Sequence, residues 1–341
     1  MDARPLIGVT IGDPAGVGPE IVARAVANPS LHQQGRLLVI GSAPVVEKAV
    51  HLIGGALSIH PIAAADQGIY APGTLDLMDV GAVRVDSLQP GVVQPEAGEA
   101  AFRYVRAAIE MAMAAEIDGL ATAPINKEAL KAGGVPYLDH TEMLAKLTGS
   151  PDPMTLFVVG NLRIFFLTRH LSLVEACRRV TAERVADCLH RIDGVLRRLG
   201  TARPRIAVAG LNPHAGEGGL FGTEEIEQIA PGVDRARREG IDACGPIPAD
   251  SVFFLTLRGK YDAVLSLYHD QGHIAAKTLD FERTVGVTVG LPILRTSVDH
   301  GTAFDIAWKG VASPTSMEEA IRVAAEYACL LRRDAGAGSG E

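Results

Sequence analysis

Leu6-Ile-Gly-Val-Thr-Ile-Gly-Asp-Pro-Ala-Gly-Val-Gly-Pro-Glu20 sets the reading of the whole chain. Leu6–Ile11 is a short apolar, β-branched run that reads as a strand. Gly12 to Glu20 follow it with glycines that permit a tight turn and with Pro19, which suits the first turn of a helix. The spacing is not the dinucleotide fingerprint G-x-G-x-x-G, because Gly12 and Gly16 stand four residues apart. On spacing alone the turn reads equally well as a strand-to-helix junction that needs small residues.

The same alternation continues along the chain. Leu37–Ile40, Leu120–Thr122, Thr155–Val159, Ile164–Leu167, Ile206–Ala209, Ala263–Leu267 and Val285–Val289 read as further strands. Amphipathic spacing predicts helices over Pro95–Ile117, Ala182–Leu199 and Thr223–Glu239. Ser316 and Glu319 form a capping box that opens a last helix, with Ile321, Val323, Ala324 and Leu330 as its buried stripe. This is an α/β chain. No internal repeat and no Pro/Ser-rich linker marks a domain boundary, so residues 1–341 are expected to form two intertwined α/β lobes joined by a shared mixed sheet, with a cleft between them. The small polar tail 335–341 is expected to be disordered.

With 341 residues, 48% of them hydrophobic, the chain can bury a large core. A net charge of −8 argues against nucleic acid or an anionic membrane as partner, and any anionic substrate must be met by local cations. Cys177, Cys188, Cys244 and Cys329 are scattered without a C-x-x-C pair, which fits a reducing compartment. Neither a leader segment nor an apolar run of roughly 20 residues is visible, so a soluble, cytoplasmic protein is expected.

Three histidines each follow a strand: His170 after Ile164–Leu167, His214 in Asn212-Pro-His-Ala-Gly-Glu-Gly-Gly-Leu-Phe-Gly222, and His269 after Ala263–Leu267. Ligands of open α/β sheets gather at the carboxyl ends of strands. Three imidazoles there, with coordination positions left open, suit a catalytic divalent ion such as zinc, cobalt or nickel. His269 and His273 could instead act as an i, i+4 ligand pair, although Gly272 weakens the helix that this requires. Lys277, Arg295 and the pair His140-Thr141 are candidates for holding phosphate or carboxylate. Arg295 reads as a strand exit into the polar turn Thr296-Ser297.

Taken together, GDPAGVGPE (12–20), TAPINKEAL (122–130), DHTE (139–142), NPHAGEGGLFG (212–222), GPIPAD (245–250), YHDQGH (268–273) and GLPILRTSVDHGTAFDIA (290–307) resemble, in order, the 4-hydroxythreonine-4-phosphate dehydrogenase family of vitamin B6 biosynthesis, over about residues 5–330. The resemblance implies a homodimer with an active site shared between subunits and a divalent metal (zinc, cobalt or magnesium) held by His170, His214 and His269. It also implies substrate contacts at His140, Thr141, Lys277 and Arg295. A second resemblance, to the isocitrate and isopropylmalate dehydrogenases, implies their two-lobed α/β/α sandwich. It places NAD or NADP contacts at His300, Gly301, Thr302, Ala303 and Asp305. Two positions depart from the family: Gly286 replaces an asparagine that would contact substrate, and Trp308 replaces a small glycine.

The implied reaction is oxidation of a 4-phosphorylated hydroxy acid with loss of carbon dioxide from the β-keto acid. The first candidate is 4-hydroxy-L-threonine 4-phosphate, giving 3-amino-2-oxopropyl phosphate. The alternatives are 4-phospho-D-threonate or D-erythronate, and a dihydrodiol carboxylate. Asp250 and Lys127 are candidates for proton transfer or for orienting neighbouring groups. Two other classes share the residues: a metal-dependent hydrolase or lyase that uses no nicotinamide, and a non-catalytic phosphate-binding protein.

Overall fold

The computed structural model describes residues 2–55, 57–81, 83 and 85–337. Among them twelve strands run in chain order: β1 (Leu6–Thr10), β2 (Arg36–Gly41), β3 (Ser58–Ile62), β4 (Thr74–Asp79), β5 (Gly119–Thr122), β6 (Met154–Val159), β7 (Leu162–Phe166), β8 (Ile206–Ala209), β9 (Ala243–Ile247), β10 (Ala263–Ser266), β11 (Val285–Val289) and β12 (Arg295–Val298). Helices separate most of them, and the fold is mixed α/β as expected. The chain divides into two compact units, one of residues 1–153 and 285–329, the other of residues 154–284 and 330–341.

In the first unit the strand order is β3-β4-β2-β1-β5-β12-β11, parallel except for the antiparallel pair β11 and β12. β1 is buried throughout, since parallel strands covered on both faces read as continuous apolar runs. The helix Pro95–Met113 packs on β1, β2 and β5 and buries Ala97, Ala101, Tyr104, Val105 and Ala108. In the second unit the order is β6-β7-β10-β8-β9, antiparallel only between β6 and β7. Its core gathers Phe157, Ile164, Phe166, Ala207, Val252, Val264 and Ala276 from strands and covering helices.

Four strands were not legible in sequence. β3 carries Pro61 and an exposed Ser58, β4 carries two aspartates, β9 contains Gly245-Pro246, and β12 opens on an arginine. The predicted helix over Thr223–Glu239 becomes a π-turn, Glu225–Ile229, that runs into an α-helix, Ala230–Arg238. The last helix starts at Thr315, and the Pro314 carbonyl accepts from the amides of Met317 and Glu318, so Ser316 stands inside the helix instead of capping it. That helix continues to Ala337, so 335–337 of the expected tail are helical, while 338–341 lie outside the described residues.

Candidate active site

β7, β10 and β8 are adjacent and parallel, so their carboxyl ends share one edge of the second unit's sheet. Each delivers one of the three histidines. His170 and His269 line a cavity of about 300 Å³ together with Thr168, Arg169, Tyr268 and Asp270. Their ring centroids are 5.9 Å apart. The His269 Nδ1 lies 2.6 Å from a carboxylate oxygen of Asp270, a contact that leaves Nε2 as the ring's other nitrogen. His170 and His214 occupy left-handed backbone, at φ 46° and 51°, which costs a non-glycine residue on the order of 1 kcal/mol and clusters at functional sites.

His214 faces the Phe221 ring at 6.4 Å. Among the described residues no three His, Cys, Asp or Glu side chains are gathered closely enough to hold a metal ion. The imidazole set and its common sheet edge fit a borderline divalent ion. Two of the three rings are neighbours, and a closed three-ligand site is not formed.

The pair His269 and His273 is not a chelate. Their rings stack at 3.5 Å with 13° between planes, which points their nitrogens side by side and not at a common ion. Gly272 does not break the helix His269–Leu279 either. A Cβ on it would stand 2.5 Å from the Phe166 ring, so the missing side chain is what lets this helix lie against β7. Lys277, in the last turn of that helix, has its ammonium 5.0 Å from the Phe281 ring centroid. Asp250 is exposed in the first turn of the helix Ala249–Leu257.

The first unit holds the candidate anion-binding residues. Arg295 is buried in β12 and not in a polar turn, because it pairs across the sheet with Thr288 of β11. Its Nη1 donates to the Thr288 hydroxyl at 3.0 Å, and its Nε and Nη2 donate to the Thr122 hydroxyl at 3.1 and 2.8 Å. No carboxylate bonds it among the described residues, and burial lowers its pKa to about 10. A buried guanidinium served only by neutral hydroxyls retains donors and charge for an anion.

His140 opens the helix His140–Leu147, capped by Asp139, whose carboxylate accepts from the Glu142 amide at 3.1 Å. Burial, with Arg295 adding to it, holds the His140 pKa well below its ordinary value, and its Nε2 is buried without a partner among the described residues. Thr141 follows in the same first turn, half-buried. The Lys127 ammonium lies 3.4 Å from the second oxygen of Asp139. Gly286, in β11, pairs with Ser297 and offers no side-chain donor.

The opening turn belongs to this unit too. Gly12 adopts φ 67°, and a Cβ on it would stand 2.3 Å from the Pro124 carbonyl oxygen, so glycine is required there. Asp13 is fully buried; one oxygen accepts from the Ala15 amide at 2.8 Å and the other has no partner among the described residues. Burial raises its pKa to about 6. The Val17 amide donates to the Thr302 carbonyl at 3.0 Å, which ties the turn to the segment 300–305. Thr302 is buried, Gly301 and Asp305 are exposed, His300 contacts the Gly301 carbonyl at 2.9 Å, and Ala303 is left-handed at φ 42°. Trp308 is left-handed as well, at φ 61°, a backbone that glycine adopts without strain. Its indole N–H donates to the Pro14 carbonyl at 2.9 Å, and Lys48 stands 4.8 Å over its ring.

The sequence pattern of the family described as pyridoxal phosphate biosynthetic protein PdxA matches residues 33–324. The chain belongs to the PdxA family. A relative from Symbiobacterium thermophilum, with the provisional name D-threonate 4-phosphate dehydrogenase, is 56% identical over 98% of this chain and 99% of its own. The crystal structure of 4-hydroxythreonine-4-phosphate dehydrogenase from Klebsiella pneumoniae superposes with TM-score 0.89 at 42% identity, covering 95% of this chain and 98% of the other. That of a 4-hydroxythreonine-4-phosphate dehydrogenase from Burkholderia phymatum gives 0.85 at 47% identity, covering 95% and 98%. This PdxA protein is therefore a dehydrogenase acting on the hydroxyl of a phosphorylated substrate, and a nicotinamide cofactor follows from that class.

Sequence reading missed Thr122 and Thr288. Their signal is the register: Arg295 pairs with Thr288 on one side and with Leu120, two residues before Thr122, on the other. The four cysteines are free, and no described helix is long and apolar enough to cross a membrane.

Proposed function

We propose that this PdxA protein oxidises D-threonate 4-phosphate at C3, passing hydride to the nicotinamide ring, and that the β-keto acid then loses carbon dioxide to leave a hydroxyketone phosphate. The Arg295 cradle carries the reading: a buried, always-charged fork with hydroxyl partners fits a phosphate. In this reading Arg295, His140 and Thr141 receive the phosphate, and Lys277, in the second unit, is a separate candidate for holding a substrate anion. Burial and the Arg295 charge disfavour the protonated His140 ring, which supports its meeting the anion through a hydrogen bond. Lys127, beside Asp139, and Asp250 are the candidates for moving or steering protons. His170, His214 and His269 would hold a divalent ion, zinc or cobalt by donor type, which when bound polarises the substrate hydroxyl. The segment His300 to Asp305, tied to the glycine turn, would hold the dinucleotide.

The substrate choice rests on two observations. The 56% identical relative carries threonate 4-phosphate in its name, and Gly286 supplies no side-chain donor. The solved structures named for 4-hydroxythreonine 4-phosphate support that acid as a second reading. A dihydrodiol carboxylate lacks the phosphate that the cradle suits. Four free cysteines support a reducing compartment, and a homodimer belongs to the same reading. The test is turnover of both phosphorylated acids with NAD and NADP in the presence of divalent ions, followed by reduced-nicotinamide absorbance. Threonate 4-phosphate is expected to be preferred, and absence of turnover with either acid overturns the proposal.

A further inference from the structure

The chain from His214 to Gly218 holds five consecutive residues in left-handed backbone, with φ of 51°, 54°, 81°, 45° and 66°, and three of them are not glycine. Such a run is unfavourable by itself, so something outside it must impose it. Immediately before it, the amides of Leu211 and Asn212 both donate at 2.7 Å to one carboxylate oxygen of Glu225. The other oxygen accepts from the Asn212 side-chain amide at 2.8 Å and stands 2.8 Å from where a Cβ on Gly216 would be. Glu224 takes a second bond from the same Asn212 amide, at 2.7 Å. Glu225 is 3% exposed and pairs with no lysine or arginine among the described residues. It also opens the π-turn, an irregularity that occurs frequently at functional sites.

A carboxylate buried without a cation is costly unless its hydrogen bonds are needed. Here they clamp both ends of the Asn212 residue that launches the turn. We propose that Glu225 is a positioning residue that fixes the left-handed turn and so sets where the His214 imidazole stands. The inference rests on the reading of His214 as a metal ligand. Glu225 itself touches neither substrate nor metal; it acts through Asn212 and the backbone.

The test is calorimetric titration of the full-length, metal-stripped protein with cobalt(II), beside amide exchange of residues 211–216 in the same metal-free protein. Glu225→Gln keeps the shape of the side chain but turns a donor toward the Asn212 amide. It is expected to weaken cobalt binding about 10- to 100-fold, the usual effect of losing an outer-shell partner, and to speed exchange in the turn. A merely structural role would lower the unfolding temperature and leave the cobalt affinity alone, and that result overturns the proposal. Asn212→Ala keeps the two backbone bonds and serves if Glu225→Gln does not fold; it should weaken cobalt binding in the same sense, and unchanged affinity in it is equally decisive. His214→Ala separates the two levels: unchanged cobalt affinity there overturns the ligand reading and the proposal with it, whereas a loss there beside an unaffected Glu225→Gln overturns the proposal alone.

Discussion

Arg295 and Thr122 meet across β12 and β5, where two guanidinium nitrogens share one hydroxyl at 2.8 and 3.1 Å. The contact holds the fork in place without neutralising it. Arg295→Met should therefore separate function from stability. Loss of a charge-assisted bidentate contact of about 3 kcal/mol lowers kcat/KM roughly 100-fold. Removing a buried charge that Asp139 offsets only in part should leave the unfolding temperature unchanged or raised. Inorganic phosphate is expected to stabilise the parent protein in a thermal shift assay and to have no effect on Arg295→Met.

Dialysis against a chelator should abolish turnover, and zinc or cobalt should restore it better than magnesium, because imidazole nitrogens favour the former ions. His170→Ala and His269→Ala should each lose metal affinity in titration. His60→Ala is the control: its ring nitrogen lies 2.8 Å from Asp76 in the first unit, and its loss should leave metal binding intact.

Stability should depend on pH through Asp13. Its folded pKa of about 6 lies above the unfolded value of 3.8, so its stabilising contribution is complete below the lower figure and is lost as pH rises through the upper one. Asp13→Asn should stabilise the protein by up to about 3 kcal/mol at neutral pH, measured by denaturant titration, and remove that limb. His140 works in the opposite sense. Its folded pKa is depressed by burial and by Arg295, so its contribution is present above 6.5 and lost as pH falls below it. His140→Gln should flatten the acid side of the profile.

Trp308→Gly restores the residue that left-handed backbone favours and relieves about 1 kcal/mol of strain. It also removes the indole bond to Pro14, the contact with Lys48 and the packing of a half-buried ring. Those losses outweigh the relief, so a net destabilisation of about 2 kcal/mol is expected in urea unfolding.

The legible parts of the fold are the ones that burial dictates. β8 and β11 were predicted residue for residue because each is a short apolar run buried throughout. β4 was missed because Asp76 breaks its pattern, although that carboxylate is buried and bonded to His60 and to the amides of Ile69 and Tyr70. The three histidines were visible as strand-end residues. Strand order was not, because pairing of β7, β10 and β8 joins segments far apart in sequence, and no local pattern encodes it. Arg295 was misplaced for the same reason: its burial depends on Thr288 and Thr122 lying on neighbouring strands. Glu225 looked like one acid among several in a helical stretch, and only the backbone path shows which amides it holds.

Trp308 is the only tryptophan in the chain, and it is hydrogen-bonded to the turn that Val17 joins to Thr302. The protein thus carries a single indole, in the unit that holds both the glycine turn and the segment 300–305. Its emission reports on that one neighbourhood without interference from any other indole, so the occupancy of this unit can be followed by light in the unlabelled protein.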